Sequence, residues 1–138
     1  MKKDISHRND IELLVNSFYD KVKGNTAIGH IFSDVANVNW ELHLPIMYNF
    51  WSGILLDDHS YSGNPMVKHI ALNKKYSLTE THFQVWIQLF QQTVDELFVG
   101  VKADEAKTRA GFIAQIMLQK INISERDTFN IIEHRQTE

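Results

Sequence analysis

Residues 11–22, Ile-Glu-Leu-Leu-Val-Asn-Ser-Phe-Tyr-Asp-Lys-Val, decide the class of fold because their apolar side chains recur with the period of an α-helix. The apolar positions follow the spacing i, i+3, i+4, i+7, i+8 and i+11, which places them on one continuous stripe. Asn9 or Asp10 is the expected cap of this helix, and Gly24 is expected just past its end. The stretch therefore predicts an amphipathic first helix that packs its stripe into a core.

Residues 26–32 are predicted to form a short helix or turn, and an Asn- and Asp-rich loop follows them. Further helices are predicted after this loop. The chain has only two prolines and six glycines, which are too few for the many tight turns of an all-β fold. One predicted helix holds Pro45 near its start and runs to about Leu56. Asn-Pro at positions 64–65 is typical of the start of another, which we expect to end near residue 75.

The last two helices are predicted to be the longest. Ser77 and Glu80 have the spacing of a capping box, so we expect Ser77 to cap a helix that ends at Gly100. Asp104 is the expected cap of the final helix. Its inward positions are predicted to be Ala110, Ile113, Met117 and Ile121. The sequence thus predicts an all-α fold of roughly six helices, with residues 123–138 either extending the last helix or forming a separate one.

Length and composition describe one globular domain, which we assign to residues 1–138. The chain is 43% apolar and 22% charged, and 17 acidic against 14 basic residues give a net charge of −3. This balance argues against a nucleic-acid partner, and no apolar run approaches the length needed for membrane insertion. The absence of cysteine excludes disulfides, thiolate ligands and covalently attached c-type haem. Without a recognisable signal peptide, the expected location is the cytoplasm.

Four polar or aromatic residues on the inward helix faces are the candidates for chemistry. Tyr19 lies in register with the apolar stripe of the first helix, and a buried phenol needs a hydrogen-bond partner. His43 heads an apolar face, His69 points to the same side as Met66 and Ile70, and Trp86 lies among inward aromatic residues. Taken singly, each residue is more often a part of the core than a ligand. Dinucleotide, Walker, His-Glu-x-x-His and di-iron motifs do not occur in the sequence.

Taken together, these residues resemble the truncated haemoglobins, and within them the group III (P) class. The match covers about residues 9–120. Its pieces, in chain order, are Phe18-Tyr19, Ile31-Phe32, Trp40-Glu-Leu-His43 with Phe50-Trp51 at +7 and +8, Tyr61-x-Gly-x-Pro65 leading to His69, and His82-Phe83-x-x-Trp86-x-x-Leu-Phe90. The Gly-Gly motifs of the other groups of the family are missing here, which favours group III. Residues 122–138 extend past the family core and have no assignment.

The resemblance implies a truncated globin fold, a two-over-two helical sandwich around haem b (iron protoporphyrin IX). It places His69 at the proximal iron ligand and puts the distal pocket at Tyr19, His43 and Trp86. The residues at the family's cofactor-contacting positions are Phe32, Met47, Phe50, Trp51, His69 and Trp86. Lys68, Lys74, Lys75 and His82 are candidates to meet the haem propionates. If the helix that contains His43 slides, this residue is expected to bind iron itself.

The function that this resemblance implies is binding of dioxygen or another diatomic ligand in a polar pocket. A dioxygen ligand at haem carries partial negative charge, for which the Tyr19 hydroxyl and the Trp86 N–H are suitable donors. We therefore expect slow oxygen release and a role in oxygen, nitric oxide or peroxide chemistry, with an unidentified reductase as partner. On the residues alone, three alternatives stay open. They are a helical binding or sensor domain for another apolar ligand, an inert helical interaction module, and a non-haem metal enzyme that uses His43, His69 and a carboxylate.

Overall fold

The chain is all-α. The computed structural model describes residues 1–59, 69, 72–73 and 77–137, and within the last range side chains are described up to residue 123. The helices of the described part are α1 (Arg8–Gly24), α2 (Trp40–Leu55), α3 (Glu80–Leu97) and α4 (Val101–Thr137), with a π-helical turn at Ile31–Val35. The described residues contain no strand, and their one β-bridge pairs Lys3 with Phe98. This confirms the predicted fold class.

The helices form two layers. Helix α1 packs against both α2 and α3, α3 packs along α4, and α2 makes a smaller contact with α4. The predicted stripe of α1 is buried along its whole length, and the ring of Phe18 lies at the centre of the molecule with that of Phe90 from α3. The layering agrees with the two-over-two sandwich that the sequence predicted.

Helix α4 presents a narrow inward face of small residues to α3. The predicted inward residues Ala110, Met117 and Ile121 are buried, while Ile113 is half-buried at the edge of the core. The helix continues without a break to Thr137, so residues 123–137 extend it and do not form a separate element. The predicted helix over 64–75 lies largely outside the described residues, apart from helical backbone at His69, Leu72 and Asn73.

The start of α3 differs from the prediction. The expected capping box of Ser77 and Glu80 is wrong, because the helix begins two residues later with Thr79 as its cap. The Thr79 hydroxyl accepts a hydrogen bond from the His82 backbone N–H, and the Nδ1 of His82 accepts one from the Thr79 N–H. A histidine therefore performs the reciprocal role that capping boxes usually give to Glu or Gln.

The start of α4 also differs, because its cap comes from the other end of the chain. Asp104 is not the cap, since the helix begins at Val101. The carboxylate of Asp4 accepts hydrogen bonds from the backbone N–H groups of Lys102 and Ala103, at 2.9 and 2.8 Å. Gly100, with φ of +142°, lets the backbone pass so close to Asp4 that a Cβ at this position would lie 2.5 Å from its Cγ. A contact 98 residues distant in sequence cannot be found from local patterns.

The start of α1 contains a buried carboxylate. The helix begins at Arg8 rather than after Asn9 or Asp10. Asp10 reaches back from the first turn, and its Oδ2 accepts hydrogen bonds from Lys3 Nζ and the backbone N–H groups of Ser6 and His7. Burial by itself raises the pKa of this carboxyl, but the three hydrogen bonds outweigh burial and lower the pKa to about 2.

Replacing Asp10 by Asn is expected to lower the free energy of unfolding by about 2 kcal/mol at pH 7. Because the folded-state pKa lies below the ordinary value of 3.8, this stabilisation is complete above about pH 4 and disappears as the pH falls towards 2. Urea unfolding of the wild type and the variant across this pH range measures the difference. Asp20→Asn, which removes an exposed carboxylate from the same helix, is the control. A loss of stability of equal size at all pH values would contradict the electrostatic origin.

Candidate functional site

Tyr19 lies at the centre of a group of four rings. Its side chain is only 5% exposed, and adjacent positions on α1 send Phe18 towards α3 and Tyr19 towards α2. The centroid of the Tyr19 ring lies 5.2 Å from that of His43, 5.3 Å from that of Trp40 and 6.0 Å from that of Phe32. We call these four residues the distal cluster. The structure therefore brings together Tyr19 and His43, which the sequence placed in one pocket.

The first turn of α2 fixes two members of the distal cluster. Asn39 caps the helix by accepting a hydrogen bond from the Glu41 N–H, so Trp40 and His43 lie one turn apart on the same side. Their rings meet edge to face with centroids 5.7 Å apart. The Nε2 of His43 is shielded from solvent. The first turn of α2 thus places the imidazole of His43 and the indole of Trp40 beside the phenol of Tyr19.

The π-helical turn places Phe32 beside the same rings. Gly29 precedes it, and a Cβ there would lie 2.9 Å from the carbonyl oxygens of Val22 and Lys23, so glycine allows the turn to close on the end of α1. The Phe32 ring then stacks on that of Trp40, with centroids 5.9 Å apart and planes 23° apart. Phe32, one of the predicted cofactor-contacting residues, is therefore a member of the distal cluster.

Trp86 joins the site through Phe18. The Phe18 ring lies 4.8 Å from that of Tyr19 and 5.6 Å from that of Trp86, measured between centroids. Trp86 also stacks on Phe90 at 5.9 Å and is half-buried. Trp51 is buried, and its ring also stacks on that of Phe90, with the two centroids 4.7 Å apart. The two indoles thus flank Phe90 next to the distal cluster, and Trp86 has no direct ring contact with Tyr19 among the described residues.

The remaining predicted site residues occupy less central positions. Met47 and Phe50 are half-buried on α2 and pack against the core, and the Phe50 ring meets that of Trp51 at 5.5 Å. His69 is helical and half-buried. Of the propionate candidates, His82 completes the cap of α3, and Lys68, Lys74 and Lys75 lie outside the described residues, as does the Tyr61–Pro65 motif.

Two residues of the site were not assigned a role from the sequence. Trp40 contacts every other member of the distal cluster, and the Nζ of Lys23 lies 4.5 Å from the centroid of its ring, a cation–π distance. The available signal was the spacing, because Trp40 precedes His43 by one turn and Lys23 follows Tyr19 by one turn. A cation is thereby held at the outer edge of the cluster.

The electrostatics of the site favour a neutral hydrogen-bond donor. Burial raises the pKa of the Tyr19 phenol far above its usual range, because an apolar surrounding disfavours the charged phenolate. Tyr19 is therefore held as a neutral phenol, the form that can donate a hydrogen bond.

The described residues show no alternative metal site and no membrane span. No group of three or more His, Asp and Glu side chains among them is arranged to hold a metal ion. None of the helices in the described ranges is long and apolar enough to cross a membrane.

Tyr19 is expected to stay protonated where ordinary tyrosines ionise, around pH 10. A titration of the tyrosinate absorbance should therefore give the same curve for the wild type and for Tyr19→Phe until the protein unfolds. The chain contains four tyrosines, so loss of about one quarter of the signal near pH 10 in the variant would show that burial does not protect this phenol.

Comparisons with known proteins agree with this geometry. None of the protein-family models matches the chain. A curated relative named group 3 truncated hemoglobin ctb, from Campylobacter jejuni, is 29% identical over 126 residues, which cover 87% of this chain and 97% of the relative. The crystal structure of a group III truncated hemoglobin from Campylobacter jejuni is similar with a TM-score of 0.77 and 26% identity, covering 88% of this chain and 95% of that one. The chain is thus similar in sequence and in fold to group III truncated haemoglobins, and its own fold is that of an all-α truncated globin.

Proposed function

We propose that this protein binds haem b, with His69 as the iron ligand, and holds a diatomic ligand on the opposite side through Tyr19, Trp86 and His43. The observation that carries the proposal is the buried ring of Tyr19, whose apolar surroundings keep the phenol protonated. It lies in a ring cluster with His43, at 5.2 Å between centroids.

The residues of the site fit haem on two counts. A porphyrin is a large apolar disc, and the neighbouring side chains Phe32, Met47, Phe50 and Trp86 are apolar or aromatic and only partly buried by the protein itself. The neutral phenol and the imidazole supply polar groups at one edge of this apolar wall. Such a lining, mostly apolar with a few placed polar groups, is typical of cofactor sites.

His69 is the residue that would hold the iron. Neutral imidazole binds haem iron through one ring nitrogen, and the other N–H then donates to a carbonyl or water and orients the ring. When bound, haem supplies ferrous iron as the binding partner for a diatomic gas. Trp51 supports the site from behind, because its ring is buried against Phe90, which also stacks on Trp86.

The distal residues favour ligands that carry negative charge. The Tyr19 O–H and the Trp86 Nε1–H are donors without a negative charge of their own, and His43 adds a third donor when its proton faces the ligand. Hydrogen bonds to a charged acceptor contribute about 1.5–3 kcal/mol each. Two of them slow escape of dioxygen by roughly two to four powers of ten.

Slow release favours a role in oxygen, nitric oxide or peroxide chemistry over oxygen transport. The pocket contains donors suited to polarising a bound oxygen species, and the chain has no cysteine that could serve as an electron-rich iron ligand. Any turnover would draw its electrons from a separate reductase. The donors of the chain are thus placed to stabilise a charged ligand, and the redox equivalents come from a partner.

Replacing Tyr19 by Phe is expected to raise the dioxygen dissociation rate by about 10- to 100-fold, because one donor to a charged acceptor is lost. Replacing both Tyr19 and Trp86 by Phe should raise it by roughly two to four powers of ten. Stopped-flow displacement of dioxygen from the ferrous haem-loaded protein measures both rates.

Tyr48→Phe is the matched control, because it also removes one phenol hydroxyl. The Tyr48 hydroxyl bonds to Asn16 on the outer side of α1 and α2, away from the distal cluster. Its dissociation rate should equal that of the wild type. Dissociation rates that are the same in the wild type, Tyr19→Phe and the double variant would exclude the donor role.

Replacing His69 by Gly is expected to abolish stable haem binding, because the iron loses its protein ligand, and added imidazole should restore the visible absorption spectrum. His59→Gly is the control, since the His59 side chain is 87% exposed and its Nε2 lies 3.6 Å from the carboxylate of Asp57. A red His69→Gly protein with an unchanged spectrum would contradict the assignment. A wild type that takes up no haem at all would favour a different apolar ligand.

A further inference from the structure

Lys23, in the last turn of α1, carries a positive charge that no carboxylate of the described residues offsets. Lys3, Lys21 and Lys107, by contrast, lie 2.9, 2.9 and 2.8 Å from a carboxylate oxygen. The side chain of Lys23 is exposed. Within the described ranges it makes no ion pair, not even with Asp20, one turn earlier on the same helix. Its ammonium group is therefore accessible to a charged species from outside the chain.

The ammonium group of Lys23 lies over the indole of Trp40. The Nζ is 4.5 Å from the centroid of that ring, which is a cation–π distance. The same indole lies 5.3 Å from the ring of Tyr19 and 5.7 Å from that of His43, between centroids. Because one indole separates the two groups, Lys23 Nζ lies within about 10 Å of the centre of the Tyr19 ring.

Lys23 and Trp40 lie on the solvent side of the distal cluster. Tyr19 is only 5% exposed, Trp40 and His43 are half-buried, and Lys23 is exposed. Exposure thus increases from the phenol through the indole to the ammonium group. A ligand that approaches Tyr19 along the indole of Trp40 therefore meets the positive charge first.

This local charge matters because the protein as a whole is acidic. The 17 acidic and 14 basic residues give a net charge of −3, so the long-range field of the protein repels anions. Burial keeps the Tyr19 phenol neutral, and the rings of Trp40 and Phe32 carry no charge. Lys23 supplies the opposite charge at the outer edge of the distal cluster. At about 10 Å its attraction for an anion is only partly screened at physiological ionic strength, where the Debye length is about 8 Å.

We propose that Lys23 and Trp40 form an entry to the distal pocket that favours small inorganic anions, such as nitrite, as ligands. The inference rests on the proposed function, because the ligand ends beside Tyr19 in the haem-loaded protein. Lys23 raises the local concentration of anions at the entry. The donors of the pocket then receive the negative charge. A neutral gas gains nothing from the ammonium group, so Lys23 selects ligands by charge.

Stopped-flow binding of azide, a small anion, to the ferric haem-loaded protein tests the proposal. At about 10 mM ionic strength, Lys23→Met should slow azide association about three- to tenfold, because the local attraction is lost. Lys23→Glu should slow it further, since the sign of the charge is reversed, and Lys23→Arg should match the wild type. In about 1 M salt, where the Debye length is about 3 Å, the rates should converge.

Two controls separate charge from other effects of the substitutions. Lys120→Met removes another exposed lysine, on α4, and should bind azide like the wild type. Carbon monoxide is neutral, so its association with the ferrous protein should be the same in every variant. Equal azide rates in the wild type, Lys23→Met and Lys23→Glu would overturn the inference. Carbon monoxide rates that fall as much as the azide rates would also overturn it, because a steric change would then explain both.

Quenching of tryptophan fluorescence gives a second readout that needs no bound haem. Lys23→Met should lower quenching by iodide, an anion, by about half and leave quenching by neutral acrylamide unchanged. In a Trp40→Phe background the same substitution should have no effect, because Trp51 is buried and Trp86 lies on α3. Equal iodide quenching with and without Lys23 would contradict the attraction of anions.

The outcomes also separate this inference from the proposed function. A wild type that binds haem and carbon monoxide, with azide rates that do not depend on residue 23, would remove only the entry role of Lys23. A wild type that takes up no haem would overturn both. Far-ultraviolet circular dichroism checks that every variant keeps its helices.

Discussion

The contact between the Tyr19 ring on α1 and the His43 ring on α2 is the interaction on which the rest of the site depends. It requires the two helices to be in one register, with the phenol one turn before the end of α1 and the imidazole in the first turn of α2. Trp40 and Phe32 then close around the phenol from two further segments. The desolvation that keeps Tyr19 protonated follows from this enclosure, so geometry and chemistry have the same cause.

The register of the helices is itself held from the N-terminal segment. Asp4 caps α4, and the carboxylate of Asp10 accepts hydrogen bonds from the backbone at the start of α1. Ile5, between them, is buried in the core, and Lys3 pairs with the end of α3. A few residues ahead of the first helix thus tie the starts of α1 and α4 and the end of α3 together. This matters for function because α1 and α3 supply the two proposed hydrogen-bond donors.

Helix α4 shows how one element can serve two surfaces. Its inward face consists mainly of alanines, which let it approach α3 closely, while its outward face carries Phe112 and two isoleucines. The sequence pattern alone mixes these faces, since apolar residues occur on both sides of the helix. Only the packing shows which residues of the helix belong to the core and which remain exposed.

The sequence by itself determined the helical class, the buried stripe of α1 and the pairing of Tyr19 with His43, because the helical period and the family pattern are local or order-based signals. It misplaced the caps of α1, α3 and α4. Thr79 competes locally with Ser77, and the Asp4 cap comes from the far end of the chain. Trp40 and Lys23 entered the site only through tertiary contacts, because an aromatic or a lysine at a helix end has no signature of its own. The packing of the whole domain determines which side chains meet across helices. The tertiary structure therefore decided the places of Trp40 and Lys23 in the site.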